Sequence, residues 1–134
     1  HLSGLEVLNL GDCKIMSEGA EALAQALQTG THLTGLQQLT LSLNRISNDG
    51  VVALATGLAA ATHLSRLQLL DLARTNAGPR GVKHLLRALA APHFACLSTL
   101  CLHNVKSGDK SVSHFAGCHL PGLKELYLSD SKIS

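Results

Sequence analysis

Leucine recurs at fixed intervals along the chain and divides it into five similar units. The clearest unit, Leu36 to Ile46, reads L-x-x-L-x-L-x-x-N-x-I. The pattern begins again at Leu5, Leu67, Leu97 and Leu123, so that successive units start 31, 31, 30 and 26 residues apart. Apolar and polar positions alternate at the core of the template, which predicts a short strand in each unit. Self-similarity at this period is the signature of a stacked repeat architecture.

The second part of each unit has the spacing of a helix that is buried on one side. After a glycine, apolar residues recur at intervals that place them on a single helical stripe. The stripe comprises Gly19, Ala20, Leu23 and Leu27 in the first unit, Gly50, Val51, Leu54 and Leu58 in the second, and Gly81, Val82, Leu85 and Leu89 in the third. Each unit is therefore predicted to be a strand, a turn and a helix.

Residues that favour helix starts precede these stripes. Ser17, Asn48 and Asp109 stand two positions before the glycine position of the first, second and fourth units. Their side chains accept hydrogen bonds readily, so we expect each of them to cap the first turn of its own helix. Pro79 takes this place in the third unit and is expected to be the first helical residue, where no backbone N–H is needed.

These motifs resemble the leucine-rich repeat superfamily, specifically its long-repeat, ribonuclease-inhibitor-like class, which includes NOD-like receptors and Ran GTPase-activating proteins. The resemblance is carried by Leu36–Ile46 followed by Asn48–Val51, and by Glu18–Leu27. Cys13 and Asn44 look like the two repeat types that alternate in that class, although Thr75, Val105 and Ser131 depart from the alternation. We expect Cys13 to be a buried, inert thiol.

The resemblance implies an α/β fold, a leucine-rich repeat solenoid or horseshoe of about four and a half repeats. Parallel strands would lie on the concave face and helices on the convex face. Residues 1–134 are expected to form a single segment, with repeats starting near 5, 36, 67, 97 and 123. Because the chain starts at His1 and stops within a template at Ser134, we expect it to be a fragment of a longer solenoid with uncapped ends that can make further contacts.

Composition narrows the classes of function. The 134 residues include 28 leucines, 46% are hydrophobic and only 15% are charged, which excludes a disordered chain. A net charge of +2 and 2% aromatic residues do not favour nucleic acid binding, and charges interrupt every apolar run before it could cross a membrane. Four cysteines without the pattern of a disulfide framework favour a cytoplasmic protein.

Side chains between the buried leucines are predicted to form rows across the concave face, because neighbouring strands lie only about 4.8 Å apart. The fifth template position gives the row Asn9, Thr40, Asp71, Cys101 and Tyr127. The seventh gives Gly11, Ser42, Ala73, His103 and Ser129, and the eighth gives Asp12, Leu43, Arg74, Asn104 and Asp130. Groups suited to recognition concentrate from the third repeat onward. The predicted partner-binding patch is Asp71, Arg74, Cys101, His103, Tyr127 and Asp130.

Histidine also recurs at one repeat position, four residues before the first template leucine. The column comprises His1, His32, His63, His93 and His119. It could bind a metal or respond to pH, but a regular column spreads its ligands along a line, whereas a metal site needs convergent ligands. We therefore expect the imidazoles to bond to backbone groups of adjacent turns. No metal and no cofactor is predicted.

No phosphate-binding loop, nucleophile elbow or other catalytic constellation is present in the sequence. The resemblance implies a non-enzymatic scaffold that binds another protein, mainly on the concave face. Two alternatives remain open. One is a GTPase-activating module like the Ran GTPase-activating proteins, and the other is a purely architectural subunit of a large ciliary or cytoskeletal assembly.

Overall fold

The fold is described from a computed structural model, which covers residues 4–30, 33–102 and 120–127. Within these ranges, strands of three residues form one parallel sheet in chain order. The strands are β1 (Val7–Asn9), β2 (Gln38–Thr40), β3 (Leu69–Asp71), β4 (Thr99–Cys101) and β5 (Glu125–Tyr127). The central leucines of neighbouring strands, which occupy the fourth template position, are paired in register.

Helices follow the first three strands and form a second layer. They are α1 (Ser17–Thr29), α2 (Ser47–Ala60) and α3 (Pro79–Leu89), and a short 3-10 helix spans Pro92–Phe94 before β4. The sheet and the helices together form the predicted α/β solenoid. The expected fourth helix falls in residues 103–119, outside the described residues.

The core lies between the two layers and runs continuously from one repeat to the next. In the second and third repeats, the leucines at the first, fourth and sixth template positions are all at most 1% exposed. These are Leu36, Leu39, Leu41, Leu67, Leu70 and Leu72. Burial of one such side chain stabilises the folded state by about 1.5–3 kcal/mol. Leu8 in β1 is only half-buried and Leu126 in β5 is 37% exposed, because each lies in a strand at an edge of the described sheet.

A buried asparagine links the first two repeats. Asn44 is 1% exposed, and its Oδ1 accepts the backbone N–H groups of Cys13 (3.0 Å) and Ile15 (2.9 Å). Its amide Nδ2 donates to the carbonyl oxygens of Leu10 (2.8 Å) and Leu41 (3.0 Å). One side chain thus provides hydrogen-bond partners for backbone groups of two turns, where strand pairing does not provide them.

The other turn residues depart from this arrangement. Thr75, at the equivalent position of the third repeat, is also buried, but its Oγ1 donates one hydrogen bond, to the carbonyl oxygen of Leu72 (2.8 Å) within its own turn. The prediction that Cys13 is buried is wrong, because its thiol is exposed and lies 3.4 Å from the carbonyl oxygen of Gly11. The described residues include no repeat that packs over Cys13.

The helix caps also differ from the prediction. Ser17 is itself the first residue of α1, and Asn48 already lies in the first turn of α2; neither helix start has a side-chain cap. Asn48 instead accepts the backbone N–H groups of Gly78 (2.8 Å) and Gly81 (2.9 Å), at the start of α3 in the next repeat. Asp109 lies outside the described residues. The prediction for Pro79 is confirmed, since α3 begins there.

Glycine is required at the start of α3 because the side chain of Asn48 lies very close to the backbone there. A Cβ atom built on Gly78 would lie 2.8 Å from Nδ2 of Asn48, and one on Gly81 would lie 2.9 Å from its Oδ1. These glycines therefore let the asparagine of one repeat reach the helix start of the next.

We predict that Asn44→Ala lowers the free energy of unfolding by about 3 kcal/mol. The substitution leaves buried backbone donors and acceptors without a partner, and each such group destabilises the folded state by about 1–3 kcal/mol. Thr75→Val at the same repeat position serves as the matched control. It removes a single hydrogen bond with little change of shape, and should cost about 1 kcal/mol. Urea unfolding of both variants measures the difference, and equal losses would contradict the linking role of Asn44.

We also predict that Asn48→Ala destabilises α3 by about 1 kcal/mol, the usual cost of losing an N-terminal cap. Asn48→Asp keeps the acceptor and places a negative charge at a helix start, so its stability should remain close to that of the unsubstituted chain. Amide hydrogen exchange resolves the two helices. Loss of protection in α2 with α3 unchanged would show that Asn48 acts on its own helix.

Candidate interaction surface on the sheet

The side of the sheet that faces away from the helices carries two rows of side chains, which we call the strand face. The first row is the fifth template position, and strand register places its members next to one another as predicted: Asn9, Thr40, Asp71, Cys101 and Tyr127. The second row is the third template position: Val7, Gln38, Leu69, Thr99 and Glu125. Sequence reasoning missed this second row, although the two-residue alternation of a strand would have identified it.

Three of the predicted binding residues are neighbours on adjacent strands. Asp71 on β3 pairs in register with Cys101 on β4, which pairs with Tyr127 on β5. Arg74 lies three residues beyond Asp71 in the following turn, where it is exposed and has a positive φ of 57°. His103 and Asp130 lie outside the described residues.

Asp71 shapes its own turn as well as the surface. Its Oδ1 accepts the backbone N–H of Ala73 at 2.9 Å, two residues ahead. Asn9 makes the same contact with Gly11 at 3.0 Å in the first repeat. An amide therefore performs this turn function as well as a carboxylate does, and the charge of Asp71 is not needed for the turn.

Cys101 lies in an environment that disfavours its thiolate. Its side chain is half-buried, and desolvation raises the pKa of the thiol above its ordinary value. The negative charges of Asp71 and Glu125 raise that pKa further. Cys101 is therefore held as a neutral thiol, the opposite of an activated nucleophile.

Tyr127 is the large aromatic side chain of the strand face. It is 41% exposed, and its hydroxyl donates a hydrogen bond to Oε2 of Glu125, two positions away on the same strand. This hydrogen bond is the main reason that the pKa of Tyr127 is raised, and the charge of Glu125 adds to the effect. Glu125, which was not predicted as a site residue, therefore orients the tyrosine and, like Asp71, places a negative charge near Cys101.

The histidine column does not form a metal centre within the described ranges, where no three His, Cys, Asp or Glu side chains are grouped suitably for a metal ion. Nε2 of His93 lies 3.1 Å from the carbonyl oxygen of Leu58 in the preceding repeat, as expected for a backbone-bonded imidazole. His63 departs from that expectation, because its buried Nε2 has no hydrogen-bond partner among the described residues. His1, His32 and His119 lie outside them.

The helical side carries scattered charges. Arg80 on α3 pairs with Asp49 on α2 at 3.1 Å, and both side chains are well exposed to solvent. An exposed pair of this kind contributes at most about 1 kcal/mol. No helix among the described residues combines the length and apolar character needed to span a bilayer.

Comparison with known proteins agrees with this architecture. A leucine-rich repeat family model matches residues 1–24 and 32–55, while no curated protein matches the chain. A solved structure of leiomodin-1 actin-binding site 2 is similar, with a TM-score of 0.76 and 21% sequence identity, over 94% of this chain and 71% of that one. A match to an internalin C2 from Listeria monocytogenes str. 4b F2365 covers 99% of this chain and 75% of the internalin chain, with 20% identity and a TM-score of 0.43. The family model and the leiomodin-1 structure both support a leucine-rich repeat fold for this chain.

We predict that Cys101 reacts slowly with iodoacetamide, because the reactive species is the thiolate and its formation is disfavoured. The double substitution Asp71→Asn and Glu125→Gln removes both negative charges and should accelerate alkylation of Cys101 severalfold at the same pH. Labelling should rise with pH in both proteins, since more thiolate forms. The exposed Cys96 is the internal control, and peptide mass spectrometry reads each site. An unchanged rate at Cys101 would contradict the electrostatic effect.

Proposed function

We propose that the chain is a non-enzymatic scaffold that binds another protein mainly through the strand face. The observation that carries the proposal is the contiguous patch of Asp71, Cys101 and Tyr127 on adjacent strands. Tyrosine is a favoured interface anchor because it combines a large contact area with a polar group. The patch is extended by Arg74, and the proposal includes His103 and Asp130, which continue the seventh and eighth template rows.

The charges on the strand face favour a particular kind of partner. Asp71 and Glu125 both act on Cys101, which places two negative charges around the half-buried thiol. A partner surface with a basic side chain near an apolar contact for the Tyr127 ring would complement this arrangement. Because the thiol stays protonated, it contributes a small apolar contact rather than chemistry.

The architecture supports the proposal at the level of the fold. Stacked repeats present extended surfaces, and proteins with such folds commonly use them for binding. The similar leiomodin-1 structure is described as an actin-binding site. For this chain, the partner is proposed only as a protein, and neither a nucleic acid nor a membrane is part of the proposal.

The proposal extends to the class of repeat and the compartment. Repeat spacings of 31, 31 and 30 residues and helices of 13 and 14 residues support the ribonuclease-inhibitor-like class, as does the different turn chemistry of Cys13 and Asn44. Cys13 and Cys96 carry exposed free thiols, which a reducing cytoplasm would maintain.

Paired variants test which face binds. Asp71→Asn combined with Tyr127→Ala removes a charge and the aromatic anchor, while the asparagine retains the turn contact. Glu21→Gln combined with Arg87→Gln is the control on exposed helix positions. Each chain is used as bait in a cell extract. We expect the strand-face variant to capture about one tenth or less of the partner that the unsubstituted chain captures, in line with the loss of an interface anchor.

The control variant should capture the partner like the unsubstituted chain, and all chains should have the same melting temperature. Loss of capture in the helix variant alone would overturn the proposal in favour of the architectural alternative. Faster GTP hydrolysis by an added small GTPase would instead support the activator alternative.

A further inference from the structure

A small apolar pocket lies outside the strand face, in the strand-to-helix turns of the first two repeats. We call it the edge pocket. Its volume is about 210 Å³, and it is lined by Asp12, Lys14, Ile15, Met16, Leu43 and Arg45. The turns that form it are held together by backbone pairing, because Met16 and Arg45 form a parallel bridge and the N–H of Asp12 donates to the carbonyl oxygen of Ser42 at 2.9 Å.

The apolar walls of the edge pocket are exposed in a way that the repeat stack does not require. Met16 is 60% exposed and Leu43 is 50% exposed. At the repeat position of Leu43, the first and third repeats carry Asp12 and Arg74, so the fold accepts polar side chains there. Met16 and Leu43 therefore line one pocket at the junction of the first two repeats.

Backbone geometry leads to the same conclusion for Leu43. Its φ is 61°, and the equivalent residues Asp12 and Arg74 also have positive φ, so this turn needs the left-handed conformation. Asparagine or glycine adopts that conformation more readily than leucine does. Leu43 is therefore neither buried in the core nor suited to its turn, and its exposed side chain is available to a ligand.

The rim of the edge pocket is basic. Lys14 and Arg45 occupy the same position in adjacent repeats, and both are exposed. Neither forms an ion pair with another described residue. With Asp12 as the acidic member of the lining, the pocket carries a net charge of +1. Carboxylates on a ligand would complement Lys14 and Arg45.

The volume selects the kind of ligand. A cavity of about 150 Å³ holds a benzene molecule, whereas pockets for drug-sized ligands and cofactors span about 300–1,000 Å³. A pocket of about 210 Å³ therefore suits a single apolar side chain.

We propose that the edge pocket binds a short acidic segment of a partner protein, with one leucine-like side chain between Met16 and Leu43 and flanking carboxylates against Lys14 and Arg45. This site is independent of the strand-face proposal, because its residues lie in turns and include none of the strand-face residues. A partner could engage either surface without the other.

The direct test uses labelled peptides and the 134-residue chain. The probe is a fluorescein-labelled peptide with one leucine between two glutamates on each side, and binding is measured by fluorescence anisotropy. One control peptide has alanine in place of leucine, and the other has lysines in place of the glutamates. We expect the acidic leucine peptide to bind at least tenfold more tightly than either control, and to weaken as salt is added. Equal affinity for the three peptides would overturn the proposal.

Variants locate the site. Lys14→Glu with Arg45→Glu should weaken binding of the acidic peptide about fivefold or more and favour the lysine peptide, since two modest exposed charge contacts become repulsive. Arg66→Glu with Arg87→Glu makes the same charge change at exposed positions elsewhere and should leave the affinity within about twofold. If this control weakens binding equally, the peptide responds to net charge alone and the proposal is wrong.

Two further substitutions use the left-handed turn positions, where asparagine is well tolerated. Leu43→Asn removes the apolar wall and should reduce affinity about tenfold, while the circular dichroism spectrum stays unchanged. Asp12→Asn removes the acidic group of the lining and should raise the affinity for the acidic peptide. Unaltered binding in Leu43→Asn would exclude the edge pocket as the binding site.

Discussion

Burial of leucine between stacked repeats holds this fold together. A three-residue strand and one helix cannot enclose an apolar face by themselves, so each repeat completes the core of the next. In the middle of the stack, Leu39 and Leu70 are fully buried, whereas Leu126 in a strand at the edge of the described sheet is not. The strands are held in register because a slip of one residue would expose the leucines of an entire repeat.

Polar groups also depend on the neighbouring repeat for their hydrogen-bond partners. Asn44 satisfies backbone groups in its own turn and in the preceding one, Asn48 caps the helix of the following repeat, and His93 lies against a carbonyl oxygen of an earlier helix. The contacts between repeats join residues 29 to 35 positions apart, which is about one repeat. The turns are therefore stable only within the stack, and a repeat removed from it would leave buried donors and acceptors without partners.

The two candidate surfaces arise from different consequences of this geometry. The strand face exists because alternate residues of every strand must point away from the core, and parallel register then brings Asp71, Cys101 and Tyr127 side by side. The edge pocket exists because the turns between strand and helix leave side chains that no neighbour covers. The strand face is acidic and carries an aromatic side chain, which suits a basic partner surface. The edge pocket is apolar with a basic rim, which suits an acidic one.

The strand register, most of the buried leucines and the fifth-position row could be predicted from the sequence, because they follow from periodicity along the chain. Even Asp71, Cys101 and Tyr127 could be placed side by side from spacing alone. Three features depend on contacts between repeats and could not be predicted in this way: the cap made by Asn48, the exposure of Cys13 and the edge pocket between Lys14 and Arg45. Periodicity specifies which positions face inward, but a side chain's partner in a solenoid belongs to another repeat. Only the packed stack determines which groups from two repeats meet.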